Sequence, residues 1–188
     1  MRNLSDIEII ESVKRGNQAD FSLIIDRYKD KGFSLLKRML RNDFDAEEVL
    51  QDSFLKAYQS LSSFRQDSKF STWFYRIAYN SALTFLSSKR RRNERELSSL
   101  EDHLELSDSD QQVYAESENV AQFVNKMIDK LPEKYASIIN MFYLDDMSLD
   151  EISKITGLSL VNVKVILHRS RNALRDLVLK HNYHEELL

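Results

Sequence analysis

Residues 45–86 read DAEEVLQDSFLKAYQSLSSFRQDSKFSTWFYRIAYNSALTFL, and their pattern decides the fold. From Ala46 to Leu61, apolar residues recur at three- and four-residue spacing, which predicts an amphipathic helix with one buried stripe. A second helical pattern follows, with Ser71 as its expected N-cap and Phe74 on its buried side. The polar loop SSFRQDSK joins the two helices. The stretch therefore predicts a helical hairpin.

The outward faces of these two predicted helices differ in their chemistry. The first helix presents acids and an amide around one large apolar residue, at Glu48, Asp52, Leu55 and Gln59. The second helix presents no acid and carries, four residues apart, Thr72, Arg76, Asn80 and Thr84. Cations bind phosphate and an Asn side chain can hydrogen-bond a base edge, so the second face is typical of a nucleic-acid contact.

Three aromatic residues at the loop allow two interpretations. Phe64, Phe70 and Trp73 could be exposed and stack on unpaired bases, as aromatic side chains do in sites that bind single strands. They could equally be ordinary core residues. The pattern alone leaves both interpretations open.

Composition restricts the class of protein. The 188 residues include no Cys, three Gly and one Pro, so we expect no disulfide framework, no thiolate metal site and little turn chemistry for a β-sheet. We find no alternating strand pattern, no apolar run long enough to span a membrane and no signal-peptide pattern. The sequence therefore predicts an all-α protein of one or two domains, located in the cytoplasm.

The net charge of −3 hides three segments of different sign. Residues 1–92 hold 17 Lys and Arg against 12 Asp and Glu, a net charge of +5. Residues 93–130 hold 3 against 10, a net charge of −7, and residues 131–188 hold 7 against 8, a net charge of −1. Because non-specific DNA affinity comes mainly from neutralised phosphates, we expect the free chain to bind DNA weakly and a partner to supply the rest.

Capping signals and composition divide the chain into two helical domains and a linker. Ser5 and Glu8 form a predicted capping box at the first helix, and residues 1–92 together are expected to make a four-helix domain. Residues 93–119 are acidic and Ser-rich with few large apolar residues, which predicts a flexible linker that reaches roughly 85 Å when extended. The helical period resumes over residues 120–188.

A helix-turn-helix motif is predicted in the C-terminal domain. Ser148 and Glu151 form a second capping box, Gly157 marks a turn, and Ser159 caps a longer helix. A short helix followed by a glycine turn and a longer helix that enters the major groove is typical of this motif. Basic and amide side chains on the outward side of the longer helix suit phosphate and base contacts.

Two parts of the chain resemble one family. DAEEVLQDSFLKAYQSLSSF followed by FSTWFYRIAYNSAL is similar to region two of bacterial extracytoplasmic-function sigma factors, the small two-domain members of the RNA polymerase sigma family. LPEKY, MSLDEISKITGLS and VKVILHRSRNALR are similar to region four of the same family. The resemblance implies an alternative sigma factor that binds core polymerase, captures the melted minus-ten strand and reads the minus-thirty-five duplex.

The resemblance also implies partners. They are core RNA polymerase, promoter DNA and an anti-sigma factor, which could hold the protein at the membrane. No cofactor and no small-molecule substrate are expected.

The resemblance and the residue chemistry together assign three groups of binding residues. The polymerase-binding residues that the resemblance implies are Asp45, Glu48, Gln51, Asp52 and Leu55. The residues expected to bind the minus-ten strand are Lys56, Phe64, Lys69, Phe70, Trp73, Arg76, Asn80, Arg90 and Arg91. The residues expected to bind the minus-thirty-five duplex are Asn162, Lys164, Val165, His168, Arg169 and Arg171.

The recognition helix departs from the family pattern. Residues 161–167 read VNVKVIL, where the family usually has Gly-Thr-Val-Lys-Ser-Arg-Leu. Val165 and Ile166 thus replace a polar and a basic residue at the expected DNA face. Val can pack on thymine methyl groups, but the usual minus-thirty-five contacts cannot all be made, so we expect a different promoter preference. In the alternative, Ile166 turns toward the core and Val165 is neutral surface.

Other functional classes fit the sequence less well. An autonomous helix-turn-helix regulator would bind duplex DNA tightly without polymerase, which the charge balance disfavours. A protein-interaction module would use the acidic helix face without DNA. We find no nucleophile–base pair, phosphate loop or paired carboxylates, so we expect no enzymatic activity. His181 and His184 lack a convincing set of further ligands, so we expect no metal site.

Overall fold

The computed structural model describes residues 4–97 and 120–185, with side chains described for residues 4–91 and 120–180. Within these ranges the chain is helical and contains no strand. The prediction of an all-α fold with two helical domains is confirmed. None of the helices in the described ranges combines the length and the apolarity that a membrane span requires.

Four helices form the N-terminal domain, as expected. They are α1 (Asp6–Lys14), α2 (Phe21–Leu40), α3 (Asp43–Gln59) and α4 (Phe70–Leu97). Ser5 and Glu8 form the predicted capping box of α1. Asn42 caps α3, since its side-chain oxygen accepts a hydrogen bond from the Asp45 backbone N–H at 2.9 Å. A short 3-10 turn precedes α2 and another follows α3.

The core of this domain is aromatic and lies between α2, α3 and α4. Phe74 of α4 is fully buried, and its ring stacks on that of Phe54 of α3 with the centroids 4.6 Å apart. Gly32 of α2 makes room for this packing, because a Cβ atom there would lie 2.9 Å from Leu50 Cδ1 and 3.4 Å from the Phe74 ring. The glycine therefore marks a close crossing of three helices, and α2 continues through it unbroken.

The C-terminal domain also contains four helices within the described ranges. They are α5 (Val120–Asp129), α6 (Glu133–Ile139), α7 (Leu149–Thr156) and α8 (Leu160–Glu185). Between α6 and α7, the chain continues as a π-helical turn at Asn140–Leu144. The Asp145 N–H closes this turn by donating to the Asn140 carbonyl at 3.0 Å.

Helices α7 and α8 form the predicted helix-turn-helix. Ser148 and Glu151 make the expected capping box of α7. Gly157 ends that helix in the left-handed conformation, with φ of 71°, which an L side chain rarely adopts. The Ser159 hydroxyl then accepts a hydrogen bond from the Asn162 N–H at 3.3 Å. Local capping chemistry therefore accounts for both ends of the turn.

The two domains pack against each other through two pairs of helices. α6 lies against α2, and α7 lies against α4. Buried residues of both domains form one continuous apolar cluster. The first helix of the helix-turn-helix thus rests on the helix that is expected to bind the minus-ten strand.

The bounds of α4 differ from those expected. The helix begins at Phe70, so the expected N-cap Ser71 lies inside its first turn. It continues to Leu97, into the segment assigned to the linker, because that part of the sequence has no Gly or Pro to end it. The rest of the expected linker, residues 98–119, lies outside the described residues.

Replacing Phe74 with Ala should lower the free energy of unfolding by about 3–5 kcal/mol, because the lost ring leaves a cavity between α3 and α4. Leu83→Ala, on the exposed side of the same helix, is the matched control and should change it by less than about 0.5 kcal/mol. Urea denaturation followed by circular dichroism measures both values. Equal losses in the two variants would contradict the central position of this ring.

Candidate nucleic-acid interface and partner surface

One side of α3 carries most of the residues expected to bind polymerase. Glu48, Gln51 and Asp52 are exposed, and Leu55 lies among them with 53% of its surface exposed. These residues face solvent because the apolar stripe on the other side of α3 is buried. A polar surface with an apolar residue at its centre is typical of protein interfaces.

Asp45 has a different environment from the other four residues. Its side chain is only 19% exposed, and its carboxylate accepts a hydrogen bond from Lys89 Nζ of α4 at 2.7 Å. The structure therefore separates Asp45 from the exposed side of α3. The ion pair instead joins the beginning of α3 to the distal part of α4.

Phe44 extends the exposed side of α3 and was missed by the sequence analysis. Its side chain is 84% exposed. A spacing of four, three and four residues places it on one side of the helix with Glu48, Gln51 and Leu55. The sequence pattern began this helix at Ala46, whereas the Asn42 cap begins it early enough to include Phe44 in the first turn. An N-cap at Asn42, followed by the spacing of four, three and four residues, is the sequence signal that could have identified Phe44.

Phe64 and Phe70 are buried, with 5% and 3% of their surfaces exposed. Their ring centroids lie 5.6 Å apart, and the Trp73 ring lies 5.2 Å from Phe64 and 5.6 Å from Phe70. Lys14 Nζ of α1 donates to the Phe64 carbonyl at 3.2 Å and so holds the loop against the domain. The expectation that Phe64 and Phe70 stack on bases is therefore wrong for this structure, because the rings bury one another. Trp73 is half-buried.

The exposed side of α4 presents a row of polar and basic side chains. They are Arg76, Asn80, Thr84, Arg90 and Arg91. Lys56 of α3 lies beside this helix, with its Nζ 3.1 Å from the Ser81 hydroxyl and 2.6 Å from the Asp52 carboxylate. The structure thus brings together basic and amide groups that suit phosphate and base contacts.

The C-terminal domain covers the beginning of this row. Thr72, one turn before Arg76, was expected to face outward but is only 4% exposed. Its hydroxyl donates a hydrogen bond to the Glu151 carboxylate of α7 at 3.4 Å. Lys69 Nζ forms an ion pair with the same carboxylate at 3.0 Å. Partial burial would raise the pKa of Glu151, but hydrogen bonds from Ser148 and Lys69 outweigh it and lower the pKa to about 2.

The outward residues of α8 are exposed as predicted. They are Asn162, Lys164, Val165, His168, Arg169 and Arg171. Ile166 is only 8% exposed, because its three- and four-residue spacing from the buried Val163 and Ser170 places it on the inward side of the helix. The expectation that Ile166 lies at the DNA face is therefore wrong, and the alternative in which it turns toward the core is confirmed.

Arg171 is held more firmly than an ordinary surface side chain. Its guanidinium lies 5.9 Å from the centroid of the Phe142 ring and 5.6 Å from that of Tyr143. Both rings belong to the π-helical turn. Cation–π contacts of this kind restrict the direction of the arginine and connect α8 to the turn that precedes α7.

A carboxyl group is partly buried where the two domains meet. Burial raises the pKa of Asp145 to about 6, against the opposing charges of Lys31 and Arg38 of α2. Asn140 Nδ2 donates to this carboxylate at 2.8 Å. The Tyr75 hydroxyl of α4 is buried without a hydrogen-bond partner, and its pKa is raised by that burial and by the charge of Asp145. Because the neutral acid is favoured in the folded state, ionisation of this group costs stability.

Asp145→Asn should raise the free energy of unfolding more at pH 7.5 than at pH 5. The folded pKa of Asp145 is about 6, above its ordinary value of 3.8. The stability that the neutral carboxyl group contributes in the parent chain is therefore complete below about pH 4 and is lost as the pH rises through 6. After solvent screening is allowed for, the additional gain at pH 7.5 is on the order of 1 kcal/mol.

Denaturant unfolding at the two pH values measures this difference. The parent chain, unfolded at the same two pH values, is the reference for both measurements. A gain for Asp145→Asn that is the same at pH 5 and pH 7.5 would show that this carboxyl group is not perturbed by burial.

No cluster of metal-ligating side chains occurs among the described residues. The side chains of His181 and His184 lie outside the part of the chain that the structure describes. Two open clefts at the domain junction have volumes of about 450 and 330 Å³, and Lys69 and Glu151 line both. Their lining consists mostly of charged and hydroxyl side chains, unlike the mainly apolar walls of small-molecule sites.

Two family models match the chain. Sigma-70 region 2 matches residues 24–92, and Sigma-70, region 4 matches residues 124–174. The first match covers the hairpin of α3 and α4 and most of α2, and the second covers the helix-turn-helix.

The chain is also similar to complete proteins. It is 37% identical over 175 residues to the ECF RNA polymerase sigma factor SigW of Bacillus subtilis, covering 88% of this chain and 92% of that protein. It is 35% identical over 182 residues to the ECF RNA polymerase sigma-E factor of Escherichia coli K12, covering 93% of this chain and 95% of that protein.

Two solved structures share the fold. CnrH, solved in complex with the cytosolic domain of CnrY, matches with a TM-score of 0.63 at 23% identity, over 90% of this chain and 94% of that one. The sigma factor RpoE, solved in complex with the anti-sigma factor NepR from Bartonella quintana, matches with a TM-score of 0.64 at 20% identity. The match covers 85% of this chain and 96% of that one.

Proposed function

Because the chain belongs to the extracytoplasmic-function sigma factors of bacterial RNA polymerase, we propose that three separate surfaces contact polymerase, the minus-ten strand and the minus-thirty-five duplex. The protein is an alternative sigma factor that directs promoter-specific transcription initiation, with core RNA polymerase and promoter DNA as its partners. One observation supports the division. Within the segment that matches region 2, α3 exposes an acidic side with apolar anchors, whereas α4 exposes a row of polar and basic side chains.

The exposed side of α3 is the proposed polymerase surface. Its residues are Phe44, Glu48, Gln51, Asp52 and Leu55. Two exposed apolar residues, Phe44 and Leu55, lie among these polar side chains, and the burial of apolar surface stabilises an interface that closes over it. Asp45 contributes differently in this proposal, because its ion pair with Lys89 fixes α3 against α4.

The row on α4, together with the adjoining loop, is the proposed minus-ten surface. Arg76 and Asn80 contact the unpaired strand directly, and Lys56, Lys69, Arg90 and Arg91 contact its phosphates. Trp73 is the aromatic residue that remains accessible for stacking. Phe64 and Phe70 support Trp73 from the core and do not themselves stack on bases.

The outward side of α8 is the proposed minus-thirty-five surface. Asn162, Lys164, His168 and Arg169 supply the polar contacts, with Arg171 directed by its two aromatic neighbours. Since Ile166 lies in the core, Val165 is the apolar residue that this surface offers to a thymine methyl group. Residues 1–92 and 120–188 then act as separate recognition domains, joined through residues 93–119.

Regulation by an anti-sigma factor is a further part of the proposal. The sigma factor RpoE, which shares this fold, was solved in complex with the anti-sigma factor NepR, and CnrH was solved in complex with the cytosolic domain of CnrY. We propose that this chain likewise binds an anti-sigma factor and works in the cytoplasm, where polymerase and promoter are. The proposed mechanism involves binding and strand capture and includes no enzymatic step.

Charge reversal or truncation on α3 should weaken polymerase binding. Asp52→Lys should abolish stable binding, and Leu55→Ala or Phe44→Ala should each raise the Kd for core polymerase about 5- to 30-fold, as removal of a partly exposed anchor does. Asp26→Lys, at an exposed acid of α2, is the matched control. Titration of each dye-labelled variant with core polymerase measures the Kd of all four variants. Normal affinity in the Asp52, Leu55 and Phe44 variants together would exclude this surface.

Promoter templates should separate the roles of α4 and α8. Arg169→Ala should cost about 1–3 kcal/mol of affinity for the upstream duplex and leave capture of the melted minus-ten strand unaffected. Asn80→Ala should spare engagement of the upstream duplex and impair capture of the melted strand. Holoenzyme binding to duplex and pre-melted versions of one promoter measures both effects. The same pattern for both variants on both templates would show that the two helices do not divide recognition.

A further inference from the structure

We propose that Lys14 of α1 is a positioning residue for strand capture, because it fixes the direction of the loop that joins α3 to α4. This loop comprises residues 60–69 and is called the α3–α4 loop. Lys14 acts on the loop backbone and does not itself contact DNA. The inference rests on the proposed function for the role of Trp73 and the loop in strand binding, whereas the restraint on the loop rests only on contacts within the N-terminal domain.

The restraint acts where the α3–α4 loop leaves the core. The Phe64 ring is only 5% exposed and packs against the rings of Phe70 and Trp73. Because that ring is fixed, rotation about the Cα–C bond of Phe64 decides the direction in which the next peptide leaves the domain. The ψ angle of this bond is 109°, in the extended region. A group that fixes this angle therefore fixes the direction of the loop.

Lys14 contacts the atom that this rotation would move. Its Nζ donates a hydrogen bond to the Phe64 carbonyl oxygen at 3.2 Å. A charged donor makes a stronger hydrogen bond than a neutral one. The Lys14 side chain is only 26% exposed, so water competes less for the bond than it does at an open surface. The ammonium group therefore opposes rotation at Phe64.

A second contact from α1 reaches the middle of the α3–α4 loop. Gln66 has a φ of 61°, in the left-handed region that residues other than glycine rarely adopt. Its Nε2 donates to the Glu11 carboxylate at 3.4 Å, and the same carboxylate lies 4.0 Å from Lys14 Nζ. An unfavourable backbone conformation persists only where its surroundings hold it. Helix α1 thus restrains the loop at Phe64 and again two residues later.

Helix α1 can act in this way because it is itself fixed to the domain. Ile10 is fully buried. Near the end of the helix, the Ser12 hydroxyl donates to the Asp20 carboxylate, and Asn17 Nδ2 donates to that hydroxyl at 3.0 Å. These contacts hold the last turn of α1, which includes Lys14, against the beginning of α2.

The direction of the loop matters because Trp73 is the aromatic residue that remains accessible beside it. The Trp73 ring lies 5.2 Å from that of Phe64. The exposed residues Arg65, Gln66 and Asp67 follow Phe64 directly, so a rotation there would move them relative to a base stacked on the indole. A loop that is already in place avoids the cost of ordering it when the strand binds, which increases affinity.

Two simpler roles for Lys14 lead to different results. As a phosphate ligand, it would contribute to counterion release, so its loss would make strand binding less dependent on salt. As a purely structural side chain, it would change the stability of the domain and leave the folded loop as it is. A positioning residue changes the loop in the folded protein and leaves the salt dependence unchanged.

Fluorescence of Trp73 tests the restraint in the full chain without DNA. The sequence contains one Trp, so the emission reports this residue alone. Lys14→Met keeps an unbranched apolar side chain and removes the donor, and we expect red-shifted emission and more efficient quenching by acrylamide. Arg15→Met removes the same charge from the exposed neighbouring position and should match the parent chain. Circular dichroism checks that both variants are folded. Parental emission and quenching in Lys14→Met would overturn the restraint.

Holoenzyme binding to a pre-melted promoter, measured at several salt concentrations, tests the effect on strand capture. Lys14→Met should raise the Kd about 3- to 10-fold, as loss of one hydrogen bond does, with the parental slope of log Kd against log salt concentration. Arg15→Met should retain the parental Kd. A less steep slope for Lys14→Met would assign this residue to phosphate binding and overturn its positioning role.

Trp73→Ala, in the same assay, separates this proposal from the proposed function. We expect it to weaken capture of the melted strand. Unchanged affinity in both Trp73→Ala and Lys14→Met would overturn the assignment of this surface to the minus-ten strand. Weaker binding by Trp73→Ala with unchanged binding by Lys14→Met would overturn positioning by Lys14 and leave the proposed function in place.

Discussion

The stacking of Phe74 on Phe54 is the contact on which the N-terminal domain depends. It fixes the rotation of α4 against α3, and the absence of a side chain at Gly32 allows α2 to approach the same point. Once that rotation is set, the periodicity of α4 decides which residues face solvent. Arg76 and Asn80 are exposed because Phe74 and Ala78 are buried. The proposed strand-binding surface is therefore a consequence of core packing.

Local signals in the sequence were sufficient for the helices and the helix-turn-helix. The capping boxes at Ser5 and Ser148 each involve residues only three positions apart, and the left-handed turn at Gly157 depends on one residue. Amphipathic periodicity likewise identified the stripe on α3. These features could be predicted because the atoms that determine them are close together in the chain.

Contacts between distant segments account for what the sequence could not predict. Thr72 is buried by Glu151, 79 residues later in the chain, and Arg38 is buried by Asn140, 102 residues later. No pattern within α4 or α2 contains that information. Ile166 is a different case, because its spacing from Val163 and Ser170 already placed it on the inward side. The family pattern has a basic residue at this position and so indicated the DNA face, whereas the helical period of this chain indicates the core.

The π-helical turn at Asn140–Leu144 has a consequence for how the length of this chain can vary. Removing one residue from a helical segment rotates everything that follows by about 100° and shifts it by about 1.5 Å. In this turn, such a deletion would direct Asn140 and Asp145 to different neighbours and turn another side of α7 toward α4. Insertions and deletions acquired during divergence should therefore be eliminated from the π-helical turn, because it sets the rotation of α7 relative to α6.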